Sequence, residues 1–497
     1  MAIAEPSSQD EGIAARAYPG AGEAGRLRGG ELRFFRTIAE SVGVQAPTGG
    51  VVIAAAVLAS VSGGGTALVQ LVAAVAMGFV AYAFVIFTRE FNSAGSVYGF
   101  TGAVAGPRFG FLSAWTLLLV YISFAGGTYV VTADEAEPAL STVGIHLSWQ
   151  VYAIAAFVLV MTLAYLEIKI SVTVILVLES TSMVLVIIAC SIILAKGGFH
   201  GHAFSSVPFR PNGVPLSVLG LGIVIAFTAF PGFEAASTLG EESRQPRRLI
   251  PRAIAISLAV VAIYSIGVAA VVTNAYPGIE QLSTSTVPLV TVTDRFVAGW
   301  MGDLINFGAV ISEFGGALAC AVGASRILFA LGRDAGPRML ARTSRRTGAP
   351  VGAVVWVGAG SLLMILLVIR ERFVTRAVAI SISFGADLVI VAYILVVVAA
   401  IIFTIRRRMS PVRTAILLIG LAVLGYVVKV TFIPFPAAPF SWAALAAGSS
   451  LAAGIVLPFV YPPLRRGIYD SPLLKAGSSA LLGNSDYQPQ HDSGDPD

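Results

Sequence analysis

Ala46-Pro47-Thr48-Gly49-Gly50 interrupts the first long apolar run of this 497-residue chain, and Phe230-Pro231-Gly232-Phe233-Glu234 interrupts the sixth. Proline removes a helical donor and clashes with the preceding turn, while glycine relaxes the backbone. At membrane depth such a break survives only where protein or a water-filled cavity satisfies the freed N–H and C=O groups. Two breaks, one opening each half of the chain, point to an inverted-repeat carrier whose binding site lies where both helices unwind. Amides at a half-helix N-terminus suit a carboxylate, and carbonyls at a C-terminal end suit an ammonium or another cation. A free amino acid carries both groups. The bland alternative is an ordinary proline kink in each helix, because Gly and Pro are common in membrane helices.

The surrounding composition requires a membrane. Hydrophobic residues make up 56% of the chain and Asp, Glu, Lys and Arg only 12%, against about a quarter charged in a soluble protein. Mean hydropathy is +0.85. Apolar runs lie near 42–62, 67–87, 109–131, 149–166, 170–195, 214–239, 253–275, 304–331, 351–369, 377–405, 415–428 and 442–460. Twelve spans at roughly 20 residues each leave room for loops and tails but for no large soluble domain. The expectation is an all-α membrane protein with twelve transmembrane helices. Residues 1–32 and 467–497 read as disordered cytoplasmic tails around a transporter domain at 33–466.

Basic residues set the expected orientation. With the N-terminus in the cytoplasm, 25 of the 32 Lys and Arg residues fall on the cytoplasmic side. An even number of spans puts both termini there, in a multi-pass plasma-membrane protein. The basic pI of about 9.2 then reflects contact with anionic lipid and needs no nucleic acid. Two cysteines, Cys190 and Cys320, exclude a disulfide framework and paired-cysteine zinc sites. There is no HExxH, GxSxG or P-loop, so no metal, cofactor or catalytic residue is expected.

Four stretches carry a family resemblance. Asn92-Ser93-Ala94-Gly95-Ser96-Val97-Tyr98 leads through Gly106-Pro107-Arg108-Phe109-Gly110-Phe111 to Trp115. The second is Phe230-Pro231-Gly232-Phe233-Glu234. The third is Glu241-Glu242-Ser243-Arg244-Gln245-Pro246 with Ile250-Pro251-Arg252-Ala253-Ile254. The fourth is Ser325-Arg326-Ile327-Leu328-Phe329-Ala330-Leu331-Gly332-Arg333-Asp334 with Thr347-Gly348-Ala349-Pro350. From about Arg33 to Arg466 the chain resembles the amino acid permeases of the amino acid–polyamine–organocation superfamily. It departs from them at Asn92, where Pro is usual, at Ala335, where Gly is usual, and in Thr48-Gly49-Gly50-Val51 of the first break.

The resemblance implies a LeuT-like fold with two inverted five-helix repeats, at about 42–195 and 214–405, and two peripheral helices at about 415–460. It implies that Thr48, Gly49 and Gly50 hold a substrate carboxylate. Phe230, Pro231 and Gly232 would hold the amino group, with Phe230 a gate candidate, and Tyr121 and Cys320 would line the same pocket. Ser182 stands where some relatives carry a coupling lysine, with Glu179 one turn earlier.

Four carboxylates inside apolar runs, Glu179, Glu234, Glu313 and Asp387, are the candidates for ion coupling. They point to proton-coupled symport or exchange of an amino acid by alternating access. A sodium-coupled carrier, using hydroxyls such as Ser312 between spans one and eight, is the competitor. An amine or polyamine carrier of the same fold is the substrate alternative. An intramembrane enzyme lacks a histidine in any span, and a channel lacks repeated pore loops. Arg326, Arg333 and Asp334 read either as snorkelling side chains or as an inner gate. Ala125-Gly126-Gly127 reads as a close helix contact.

Overall fold

The computed structural model describes residues 27, 29–141, 144–166, 168–201 and 205–482. In chain order the helices are α1 (Phe34–Gln45), α2 (Pro47–Ser62), α3 (Thr66–Glu90), α4 (Val97–Ala105), α5 (Pro107–Ser141), α6 (Trp149–Tyr165), α7 (Ile168–Lys196) and α8 (Leu216–Phe227). They continue as α9 (Pro246–Ala275), α10 (Ile279–Ser283), α11 (Pro288–Phe296), α12 (Gly299–Asp334), α13 (Val351–Val368) and α14 (Val374–Arg406). The last four are α15 (Pro411–Phe432), α16 (Phe440–Val460), α17 (Pro462–Asp470) and α18 (Pro472–Leu482). Among the described residues there is no strand, only an isolated parallel bridge between Leu32 and Ser243.

Ten of these helices, with α1 and α2 counted together, are long and apolar enough to cross a membrane. The apolar helices α6 and α8 are shorter. Both expected breaks are present. The first run parts at Ala46, whose left-handed backbone (φ 39°, ψ 57°) turns α1 into α2. Pro47 follows as the first residue of α2, where its missing N–H costs nothing. The sixth run, read as 214–239, is helical only to Phe227. It then unwinds and re-forms as a 3₁₀ turn at Ala235–Leu239.

Burial separates core from periphery. In its most apolar stretch α12 is 89% buried, whereas α15 and α16 are 22% and 28% buried. Small residues let the core helices close up. A Cβ on Gly43 of α1 would press on Ala319 and Ile175, and one on Gly316 would meet Ala46 at 3.0 Å. Gly126 and Gly127 of α5 abut α13 and α14, where added carbons would strike Met364 and Ile382. That is the helix-packing role read from the sequence.

Three boundaries differ from the sequence reading. The expected tail at 467–497 is helical through Leu482, the rest lying outside the described residues. Its Leu473 and Leu474 are buried, Leu474 against Gly102 of α4, and Ser471 donates to Asp334. At the other end, Leu32 is buried and donates to the Glu242 carbonyl (3.1 Å), while Arg244 N–H donates to the Leu32 carbonyl (3.2 Å). Residues 1–26 and 28 lie outside the described residues. Finally, the 276–303 connection carries two short helices, α10 and α11.

Candidate functional site

A cavity of about 350 Å³ sits between the two breaks. Ala46, Gly49 and Gly50 line it from the first break, and Thr228, Ala229 and Pro231 from the second. Phe124, Thr128 and Glu135 of α5, Glu313 of α12, and Val378 and Ile382 of α14 complete the wall. The cavity runs along Ile53 and Val57, away from the face where the described chain ends pack through Leu32 and Leu474.

Each break is held by specific bonds. At the first, the Thr48 amide donates to Ser312 Oγ at 3.3 Å. Ser312 Oγ in turn reaches both Glu179 oxygens, at 3.1 and 3.0 Å. Thr48 Oγ1 pairs with the Tyr264 hydroxyl at 3.1 Å. Gly49 faces Glu313 so closely that a Cβ would collide with that carboxylate, whereas Gly50 has open space before it.

At the second break, Gly232 has φ +112°, a conformation that suits only glycine. A side chain there would drive into Val44 and Gln45, so the two breaks touch. Glu234 folds back over this turn. Its carboxylate accepts from Gly232 N–H (3.0 Å), the Tyr393 hydroxyl (2.8 Å) and the Tyr121 hydroxyl (2.9 Å). Ser41 of α1 ties the breaks together: it donates to the Phe233 carbonyl (2.7 Å) and accepts from Ala236 N–H (2.9 Å).

Of the residues singled out in the sequence, Gly49, Gly50, Pro231 and Glu313 line the cavity. Phe230, Gly232, Tyr121 and Cys320 are buried beneath it, toward the face of the chain ends, and Glu234 is among them. Thr48 turns away to Tyr264, and Glu179 lies behind the first break against Ser312. Asp387 is half-buried on α14 and outside the cavity wall. Sequence reasoning missed Glu135, Gln45, Gln70 and Thr128 on the wall. It also missed Glu40, which is fully buried on α1 with no hydrogen-bond partner for either oxygen among the described residues.

Below this floor the closed side is ionic. Arg326 of α12 pairs with Glu242, and Arg333 pairs with Glu241 at 2.8 and 3.0 Å. Glu241 also accepts from Ala94 N–H at 3.1 Å. Burial pushes the Glu241 carboxyl up, but Arg333 and these hydrogen bonds outweigh it and hold the group below its ordinary range. The charged groups near Glu40 are Arg326 and Glu242. Among the described residues no cluster of His, Cys, Asp and Glu is arranged to hold a metal ion.

The comparisons with known proteins agree with this architecture. The amino acid permease family model matches residues 32–463. The branched-chain amino acid permease BcaP of Bacillus subtilis is 27% identical over 317 residues, covering 61% of this chain and 67% of that protein. Cationic amino acid transporter 4 of Homo sapiens is 27% identical over 394 residues, covering 74% of this chain and 59% of that protein. A crystal structure of the Eremococcus coleocola manganese transporter superposes with a TM-score of 0.55 at 13% identity, over 93% of this chain and 97% of that one. At that identity it speaks for the fold alone. With a match over nearly the whole helical domain and two broken helices around one cavity, the chain belongs to the amino acid permease family of the amino acid–polyamine–organocation superfamily, a family of transporters and not of enzymes.

Proposed function

We propose that this transporter is a proton-coupled amino acid carrier of the plasma membrane, with twelve spans in two inverted five-helix repeats and two peripheral helices. Both termini are cytoplasmic in this reading, which the bias of Lys and Arg toward that face supports. Shorter α6 and α8 would complete the twelve, α8 together with its unwound continuation. The cavity then opens outward and the ion pairs close the cytoplasmic side, one of the two states alternating access requires.

The observation that carries the coupling is Glu313 against Gly49 at the start of α2. The first-turn amides of α2 are where a substrate carboxylate gains most from the helix dipole. An ionised Glu313 would repel that carboxylate at close range. Substrate binding therefore goes with proton binding at Glu313, and the pair crosses together. Glu135 shares the wall, close enough for the two charges to interact. An ionised Glu135 also suits a substrate with a second ammonium, in keeping with cationic amino acid transporters among the relatives.

The test is uptake into proteoliposomes in sodium-free buffer under an imposed pH gradient. Wild-type protein should concentrate amino acid, and Glu313→Gln should exchange without responding to the gradient. Uptake that follows sodium and ignores pH would instead favour the Thr48–Ser312–Glu179 cluster as a cation site. Competition by amines but not by amino acids would move the substrate to the amine class.

A further inference from the structure

A second pair of cavities lies at the seam of α1 and α7, remote from the transport site. One, of about 490 Å³, is lined by Arg33 just before α1, Arg36 of α1, Lys169 of α7 and Arg244 of the loop before α9, with Glu31 and Leu176 at its sides. The other, of about 440 Å³, continues from it along α7 over Ile170, Thr173, Val174, Val177 and Leu178. Arg36 and Lys169 belong to both, so a polar chamber opens directly into an apolar groove.

The charges in the chamber do not cancel. Among the described residues, four basic side chains face a single carboxylate, Glu31, which Lys169 holds at 2.6 Å. Arg36 spends Nε on Thr173 (3.0 Å), and Arg244 spends Nε on the Gly30 carbonyl (3.2 Å). Their terminal amino groups have no acceptor among the described residues. Planar guanidinium groups of this kind are suited to phosphate oxygens. The groove beside them is walled by aliphatic side chains, with Ile170 and Val177 exposed at 44% and 56% on a helix whose apolar stretch is only one-third buried.

We propose that the two cavities form one binding site for an anionic phospholipid. Its phosphate seats among Arg33, Arg36, Lys169 and Arg244, and one acyl chain lies along Ile170, Val174 and Val177. The excess positive charge selects an anionic headgroup, because the ammonium of a zwitterionic lipid would be repelled. The groove selects a lipid over a soluble phosphate. A molecule so placed joins three parts of the chain: the half-helix ahead of the Ala46 break, the start of α7 and the loop after the second break. It therefore stabilises the closed arrangement of that face.

The test uses full-length protein reconstituted in phosphatidylcholine with or without phosphatidylglycerol, then read by native mass spectrometry and by thermal unfolding. Wild-type protein should retain one phosphatidylglycerol and melt higher in its presence. The Arg36→Gln/Lys169→Gln variant should retain the lipid roughly tenfold or more weakly, whereas the distant Arg466→Gln should behave as wild type. Val174→Trp, which fills the groove and leaves every charge in place, should also lose the lipid. Equal retention of phosphatidylcholine would overturn the proposal, as would undiminished binding by the double variant. Full protection by glycerol phosphate, with Val174→Trp inert, would overturn it in favour of a soluble phosphate.

Discussion

Arg326 grips Glu242 through two hydrogen bonds, Nε to Oε2 at 3.3 Å and Nη2 to Oε1 at 3.2 Å, with both side chains at most 2% exposed. Removing one partner of such a pair leaves a bare charge in the interior and costs about 3–5 kcal/mol. Here Glu40 offers Arg326 a second carboxylate that has no hydrogen bond among the described residues. Glu242→Gln should therefore destabilise mildly, and Glu40→Gln/Glu242→Gln should show the steep loss. Thermal unfolding of the purified variants decides it: a single variant as unstable as the double would remove Glu40 as the alternative partner.

The same pair closes the floor over Cys320, which is 1% exposed. In a Cys190→Ala background, Glu242→Gln should raise the labelling rate of Cys320 by a thiol reagent applied from the face of the chain ends. An unchanged rate would mean that the pair does not hold that face shut.

Neighbouring glycines should respond differently. Gly49→Ala forces the Glu313 carboxylate aside, an overpacking expected to cost about 1–3 kcal/mol. Gly50→Ala meets nothing within 4 Å and should unfold with the wild type. Gly50→Leu, which fills the approach to the same amides, should fold normally and lose uptake. Thermal midpoints and uptake rates measured on one preparation separate these effects.

Glu234 should prove a brace for the second break. Tyr393→Phe and Tyr121→Phe each delete one hydrogen bond to a carboxylate, about 1.5–3 kcal/mol apiece. Uptake by either variant should keep the wild-type pH dependence while stability drops. A shifted pH profile would instead place Glu234 on the proton path.

Acid should weaken the Arg333–Glu241 tie. The folded carboxyl lies below its ordinary value of about 4.3. Its contribution is therefore complete above that value and is lost as pH falls through the lower, folded one. Wild-type protein should lose stability across this acid window, and Glu241→Gln should lose less. Parallel slopes for the two proteins in pH-dependent unfolding would contradict the assignment.

What the sequence made legible had local causes. Proline and glycine announce the two breaks wherever they stand, and the apolar runs announce the spans. The side chains that line the cavity and brace the breaks were harder to see. Helices that are apolar all round reveal no facing side, so Tyr264 and Tyr393 look like any other aromatic in a span. Glu135 was lost because Asp134, Glu135 and Glu137 resemble a loop after an apolar run ending at 131, although α5 continues to Ser141. Glu40 and Ser41 stood just outside a run that opened at Val42, and only folding sets Ser41 beside Phe233.

That single hydroxyl has a mechanical consequence. Ser41 is both donor and acceptor to the strip of chain that follows the second break, so the half-helix α1 and the 3₁₀ turn at Ala235–Leu239 are latched to one another. Neither can swing out alone without stranding a carbonyl and an amide in a dry interior, a penalty of about 1–3 kcal/mol for each group. Movement of the two arms as one piece keeps both bonds, whereas movement of either alone breaks them.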